Sequence, residues 1–352
     1  MDQTRILVTG GCGFLGTSIV SRLLETNSYA ITAIDINPPP PGTTTFASSV
    51  RYMRANVLDV DALQKVFNQT RPAIVVHTVG VYPLGAKRYS MDGREAVFRV
   101  NVEGTRNVLR ASRECGAKGL VYTSSVTVLF DELDQDFRNV DERWTTGRAT
   151  TSYGLSKTMA EDLVLAANTH DFVTCTLRSA PIFGPDDPGC IPIIHSCIAA
   201  YQTPFILGSG TNLQDFVFVD NIADAHVLAV GNLLTSRSVA GEAIFITNGE
   251  PITARDFCLA TWKEFGHVPR FQVRVPQRLA WWVGLGAEWV TWLTGIEGAL
   301  SRGIVNDGCR ERYVNLAKAR ELLEYKPRVN LLDGLRISCQ HFQKRIDDRA
   351  KR

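Results

Sequence analysis

The sequence predicts an α/β protein, a doubly wound parallel sheet followed by a smaller C-terminal lobe. Three observations carry this expectation. Short β-branched runs alternate with helical stretches through the first half. A glycine-rich turn stands between the first run and the first helix. Beyond about residue 181 the alternation gives way to proline- and glycine-rich connections. A chain of 352 residues buries roughly 75% of its unfolded surface, enough for one large domain or two closely joined ones without an external staple.

The elements follow in order. Strand patterns at 5–8, 31–34, 73–77, 119–123 and 172–177 are separated by helical periodicity up to about 24, near 60–69, at roughly 93–114 and at about 152–167. Residues 38–42, Pro-Pro-Pro-Pro-Gly, read as a stiff loop, because proline fixes φ and removes a donor. The last residues, 341–352, are mostly charged and are expected to form a solvated, frayed end.

Composition excludes several classes. The 38 basic and 36 acidic side chains nearly cancel, so no charge argument favours nucleic acid. The eight cysteines, at 12, 115, 175, 190, 197, 258, 309 and 339, contain no CxxC pair and no cysteine-histidine cluster. Free thiols, a reducing cytoplasmic setting and no metal site are expected. The chain reaches an apolar strand by Ile6 with no basic start, which argues against a secretory signal and leaves Asn68-Gln69-Thr70 as a chance glycosylation triplet.

Directly after the first strand stands Thr9-Gly10-Gly11-Cys12-Gly13-Phe14-Leu15-Gly16. Glycines at 10, 13 and 16 give a tight turn, admit a pyrophosphate to the backbone and let helix pack on strand, while the helix N-terminus offers unpaired N–H groups. Asp35 closes the second strand, where a carboxylate accepts both ribose hydroxyls of NAD and repels a 2′-phosphate. No arginine follows at 36 or 37, so NAD is expected rather than NADP. Residues 1–180 are therefore read as an NAD-binding Rossmann domain. Residues 181–340 are read as a substrate lobe with elements returning to that domain, and 341–352 as the charged tail.

The strand ending in Ser124 and Ser125 delivers hydroxyls to the carboxyl edge of the sheet. Tyr153 and Lys157 follow four residues apart, on one face of the helix expected there. A pair at this spacing is common on any helix surface; its place after the glycine turn and the Ser-Ser strand end gives it weight. A neighbouring ammonium favours phenolate. Tyr153 can then take an alcohol proton while hydride leaves for the nicotinamide, with Lys157 on the nicotinamide ribose and a serine orienting the substrate oxygen.

These motifs, with Asn101, Gly104-Thr105 and Tyr122 to Ser125, resemble the extended short-chain dehydrogenase/reductases. The resemblance continues through residues 178–185, Arg-Ser-Ala-Pro-Ile-Phe-Gly-Pro, which are similar to that superfamily's loop beside the nicotinamide and bring in Pro181 and Ile182. It runs on through residues 215–226 to residues 241–252 and to Tyr325-Lys326-Pro327. The wording of the later stretches resembles the 3β-hydroxysteroid dehydrogenase family and, within it, the decarboxylating sterol-4α-carboxylate 3-dehydrogenases. The superfamily's pattern makes Ser125 the substrate-orienting hydroxyl, with Ser124 as fallback, and places Asn101, Asn56 and Val57 at the cofactor. Asn56 stands where the family usually has an aspartate near adenine. His77-Thr78-Val79-Gly80 replaces the family's alanines after the fourth strand, and His77 is read as structural.

The resemblance implies oxidation of a 3β-hydroxyl on a sterol or polycyclic terpenoid, with loss of an adjacent carboxyl as CO2 through an enol. A steroid dehydrogenase without decarboxylation, with or without isomerisation, or another ketone reductase is the alternative. A nucleotide-sensing regulator on the same fold is disfavoured by the presence of Tyr153 and Lys157. A lipid-like substrate and a homodimer are expected. Residues 279–300 hold four of the six tryptophans and are too short of uninterrupted apolar length to span a bilayer. On a helix, Trp281, Leu285, Trp289, Trp292, Leu293 and Ile296 share one face, opposite Gly284, Glu288, Thr291 and Gly295. That face reads as packing on the second lobe, as a lid over substrate, or as a peripheral contact with the endoplasmic reticulum membrane.

Overall fold

The computed structural model describes residues 3–39, 49–89, 91, 93–295 and 300–351. Seven parallel strands form the central sheet: β1 (Thr4–Thr9), β2 (Tyr29–Asp35), β3 (Val50–Arg54), β4 (Ile74–His77), β5 (Gly119–Ser125), β6 (Val173–Ser179) and β7 (Ala243–Ile246). Their order is β7-β6-β5-β4-β1-β2-β3. Strand order reverses at β1, which has β2 on one side and β4 on the other, and this opens a crevice at its carboxyl end.

Nine helices of ten residues or more are described: α1 (Phe14–Glu25), α2 (Val60–Thr70), α3 (Gly104–Glu114), α4 (Ser152–Ala166), α5 (Cys190–Ala199), α6 (Val219–Leu234), α7 (Ala254–Glu264), α8 (Gln277–Thr294) and α9 (Leu331–Ala350). Alternation along the strands feeds two cores. Ile6, Val8, Val76 and Val121 pack with Ile19, Val20 and Leu23 of α1 and Ile222, Ala225 and Ala229 of α6. Leu7, Val75, Leu120 and Tyr122 face the other way, onto Leu63 and Phe67 of α2, Val108 of α3 and Val164 of α4. Both faces are covered, which is why these strands read as continuous apolar runs.

The structure departs from the sequence reading in several places. The helix expected over 93–114 is broken into Arg94–Phe98, a π-turn at Arg99–Glu103 and α3. The wide turn accommodates Asn101, whose amide bonds inward to Val81 and Ser156. Strand β3 escaped notice because it is a short edge strand of charged and apolar residues. Phe137–Val140 also leaves the central layer and joins Leu213–Gln214, Ile252–Thr253 and Arg312–Val314 in a four-stranded sheet.

The charged end is a correction. Residues 341–350 complete α9, whose Phe342 packs against the core around Phe183 and Phe218, and Arg345 pairs with Asp186. Of the proline loop, Pro40, Pro41 and Gly42 lie outside the described residues, as does Ile296 of the tryptophan-bearing segment.

The helix bearing the tryptophans, α8, also corrects an expectation. It packs through Ala280 and Gly284, where a Cβ would lie 2.9 Å from the Arg302 backbone nitrogen, and Glu288 binds Arg302. The side opposite Trp289 and Trp292 is therefore the packed one, which goes against the reading of the tryptophan face as packed on the second lobe. Trp289, Trp292 and Leu293 are 62%, 78% and 69% exposed. Small residues win the interior because they allow the backbones to approach closely. Among the described residues no helix is long and apolar enough to cross a membrane.

Candidate active site

β1 runs straight into the glycine turn. Gly10 takes φ +70°, and a Cβ on Gly16 would lie 2.0 Å from the Gly10 carbonyl oxygen, so neither position accepts a side chain. Gly13 precedes α1 without any side-chain cap, leaving the first-turn N–H groups and the positive end of the helix dipole for an anion. Phe14 packs beside Gly184 of the loop after β6, and Leu15 lies against the core. These backbone donors and the absence of side chains fit a dinucleotide pyrophosphate.

Asp35 is half-buried at the end of β2 and accepts the Cys12 N–H at 3.3 Å and the Asn37 N–H at 3.1 Å. Strand register places Arg54 of β3 beside it, a cation that linear spacing did not reveal. Asn56 is exposed and its Oδ1 accepts the Leu58 N–H at 3.0 Å; Val57 is buried beneath Gly104.

The other side of the crevice is built from β5 and α4. The Thr151 hydroxyl accepts the Gly154 N–H at 3.0 Å and so fixes the start of α4, placing Tyr153 in its first turn and Lys157 in the next. Lys157 is buried, donates to the Thr123 carbonyl at 2.6 Å and stands 4.2 Å from the Tyr122 ring centroid. Burial pushes its ammonium down to about 7, against the opposing pull of Glu161. The Tyr153 phenol is pushed up by burial and by neighbouring Tyr82, and pulled down by Arg88 and by a hydrogen bond with Ser125.

Ser125 therefore meets Tyr153. Ser124, one residue back and on the opposite face of the strand, has a buried hydroxyl with no hydrogen-bond partner among the described residues. Asn101 braces the site: its amide nitrogen donates to the Val81 carbonyl at 3.1 Å and the Ser156 hydroxyl at 2.9 Å, and its oxygen accepts the Val81 N–H at 2.7 Å. Pro181 is exposed and its carbonyl accepts the Val217 N–H, while Ile182 is half-buried in a parallel pair with Val217. His77 is buried between the hydroxyls of Thr9 and Thr105, and burial holds its pKa down to about 3, so it is neutral.

Two charged residues beside Tyr153 were missed by sequence reasoning. Arg88, on the turn Gly85–Tyr89, donates to the Asp131 carboxylate at 2.7 Å. Nothing in linear spacing pairs residues 43 apart from two different loops.

A phenol meeting a serine hydroxyl, with a lysine one helical turn on and a glycine turn that fits a pyrophosphate, is the equipment of a dehydrogenase acting on CH–OH groups, and the chain is of that class. The pattern of the 3-beta hydroxysteroid dehydrogenase/isomerase family matches residues 7–277, and the chain belongs to that family. It is 35% identical over 339 residues to the decarboxylating sterol-4-alpha-carboxylate 3-dehydrogenase of Schizosaccharomyces pombe, covering 96% of each chain. It is 34% identical to the enzyme of the same name from Saccharomyces cerevisiae, over 94% of this chain and 95% of that one. Among solved structures it resembles UDP-glucose 4-epimerase from Thermotoga maritima, with TM-score 0.74, 21% identity and coverage of 97% and 100% of the two chains. The dTDP-glucose 4,6-dehydratase of Bacillus anthracis in complex with NAD gives TM-score 0.71 at 17% identity, covering 98% of each. These two likenesses share the fold.

Proposed function

We propose that the chain oxidises the 3β-hydroxyl of a sterol-like substrate and releases an adjacent C4 carboxyl as CO2. The observation that carries the chemistry is the meeting of Tyr153 and Ser125 at the edge of the sheet, with Lys157 one helical turn on from Tyr153 and its Nζ on the Thr123 carbonyl of the same strand as Ser125. The substrate follows from the near full-length likeness to the two yeast enzymes. NAD is the coenzyme favoured by Asp35. A nicotinamide dinucleotide bound along the glycine turn supplies the hydride acceptor.

Tyr153, as phenolate, takes the hydroxyl proton of the substrate, and Lys157 supplies the positive charge that favours the phenolate form. Ser125 holds the same oxygen in line. The resulting ketone stands β to the carboxylate. When the C4–carboxyl bond breaks, its electron pair enters the ring as an enolate, CO2 departs, and C4 later takes a proton. The Tyr153 phenol and the Ser125 hydroxyl donate to the enolate oxygen and stabilise it.

The segment after 180 is proposed as the substrate side of the cleft, and the exposed face of α8 as a contact with an anionic bilayer surface. Arg270 and Arg274, shortly before α8 in the chain, and Arg278 in its first turn are exposed, and residues 265–287 contain no aspartate or glutamate. A phospholipid surface satisfies both the tryptophans and the cations.

Tyr153→Phe tests the chemical assignment. Turnover of a 3β-hydroxysteroid should fall roughly 100-fold or more while NAD binding, followed by fluorescence titration, persists. Near-normal turnover would overturn it. Ser125→Ala should also be impaired, and a fully active Ser125→Ala beside an inactive Ser124→Ala would shift the hydroxyl assignment by one residue.

A further inference from the structure

The loop between β4 and the helical turn at 94 carries a charge into the interior. Arg88 is only 6% exposed and Asp131 is fully buried. The guanidinium makes a forked pair with the Asp131 carboxylate, donates to the Thr151 hydroxyl at 3.1 Å, and donates through Nε to the Tyr82 hydroxyl at 2.9 Å. The Thr151 hydroxyl in turn donates to Asp131 and accepts from Gly154 at the start of α4. Asp131 also receives Thr150 through its backbone carbonyl, from both N–H and hydroxyl. The turn preceding Tyr153 is thus tied to this one ion pair.

The same guanidinium lies against the tyrosine itself. Its Cζ stands 5.7 Å from the Tyr153 ring centroid and 5.3 Å from those of Tyr82 and Tyr89. The Tyr82 ring meets Tyr153 edge-on at 4.8 Å. Tyr89 is held by Asp307, which also pairs with Arg312. A buried pair of opposite charges is costly to desolvate and is not needed for a stable fold, since apolar residues of similar volume do as well. Its place at the tyrosine calls for another role.

We propose that Arg88 and Asp131 form a positioning pair for Tyr153: the fork fixes the first turn of α4, and the two opposite charges beside the ring set when the phenol gives up its proton. The proposal rests on the reading of Tyr153 as the acid–base group. The groups facing Tyr153 are Tyr82 and Arg88 from the loop, Asp131 from the segment after Thr127–Phe130, and Tyr122 and Ser125 from β5; Lys157 of its own helix lies behind, on the Thr123 carbonyl and the Tyr122 ring, and Asp307 stands behind Tyr89. Among these, Arg88 favours phenolate and Asp131 opposes it, so removing either should move the titration in opposite senses.

The test is the pH profile of kcat/KM for oxidation of a 3β-hydroxysteroid with NAD. Arg88→Met should move the limb on which activity rises to higher pH, by about one to two units for a charge about 6 Å away at an effective dielectric near 20. Asp131→Asn should move it to lower pH by a smaller amount. The double variant Arg88→Gln/Asp131→Asn leaves no unpaired buried charge and should place the limb between those of the single variants. Arg88→Lys should keep the limb near its wild-type position with a reduced kcat, because a point charge cannot bridge Asp131, Thr151 and Tyr82 together.

A purely structural pair would move both single variants the same way or not at all, and that result would overturn the proposal. If Arg88→Met is insoluble, the direction of the Asp131→Asn and double-variant limbs decides the matter, and an unmoved limb in both overturns it. Tyr153→Phe is run alongside. Activity retained there overturns the reading of Tyr153 itself, whereas an inactive Tyr153→Phe with unmoved limbs in the pair variants overturns only the role of the pair.

Discussion

Changing Trp289 and Trp292 together to serine separates the surface role of α8 from a packing role. The two rings are 62% and 78% exposed. Taking about 150 Å² of each out of water is worth at most ~4 kcal/mol per ring at about 25 cal/mol per Å². Burying half of that at headgroup depth leaves about 2 kcal/mol each, so the double variant should partition onto vesicles roughly 1,000-fold more weakly. Neither ring fills the interior, so the melting temperature should change by no more than about 2 °C, the range of ordinary surface substitutions. The assay is co-sedimentation with phosphatidylserine-containing vesicles, with pure phosphatidylcholine vesicles for comparison and thermal melts in parallel. Equal binding of wild type and variant would refute the membrane reading. A melting temperature lowered by about 10 °C or more would show instead that the rings are packed, since deleting a core aromatic leaves a cavity.

Other outcomes follow from the site and the core. Asp35→Ala removes a charge-assisted acceptor and should lower the ratio of kcat/KM for NAD to that for NADP by roughly 10-fold or more; an unchanged ratio would place Asp35 away from the ribose. His226 is buried, donates from Nδ1 to the Ile222 carbonyl and accepts the Thr123 hydroxyl, and burial pushes its pKa down to about 4. With His77 at about 3, both folded values lie below the unfolded value of about 6.5, so the unfolded chain binds protons first. Their contribution is complete above about pH 6.5 and falls as pH drops towards 4, by about 2 kcal/mol per histidine at pH 5. Urea midpoints at pH 7 and 5 should therefore differ more in wild type than in His226→Gln, and equal slopes would contradict it. The comparison isolates the histidine, because Asp215, pushed up to about 7 by burial, acts in the opposite direction over that range.

The parts of the site that were legible in the sequence are those made by local geometry. Residues 9–16 declare themselves because a turn, a close approach and a helix start must fall within one stretch, and Tyr153 with Lys157 because one helical turn joins them. Asp35 was legible as the end of a strand. Arg88 and Asp131 were not, since two loops meet only after the sheet has formed. For α8 the apolar stripe was visible but its surroundings were not. A stripe of tryptophans fits a core and a membrane equally well in sequence, and only the packing of Ala280 and Gly284 shows which side of the helix faces the protein. The π-turn around Asn101 was hidden for a similar reason, because its cause lies at Val81 and Ser156.

The most direct measurement supplies the purified protein with NAD and a 4α-carboxy-3β-hydroxysterol carrying ¹³C in the carboxyl group, and follows NADH, sterol mass and labelled CO2 together. NADH and ¹³CO2 should form in equal amounts, with a 3-ketosterol lighter by the lost carboxyl, and all three signals should be abolished in Tyr153→Phe. NADH formation with the label retained on the sterol would contradict decarboxylation, and no NADH from this substrate would contradict the proposed activity as a whole.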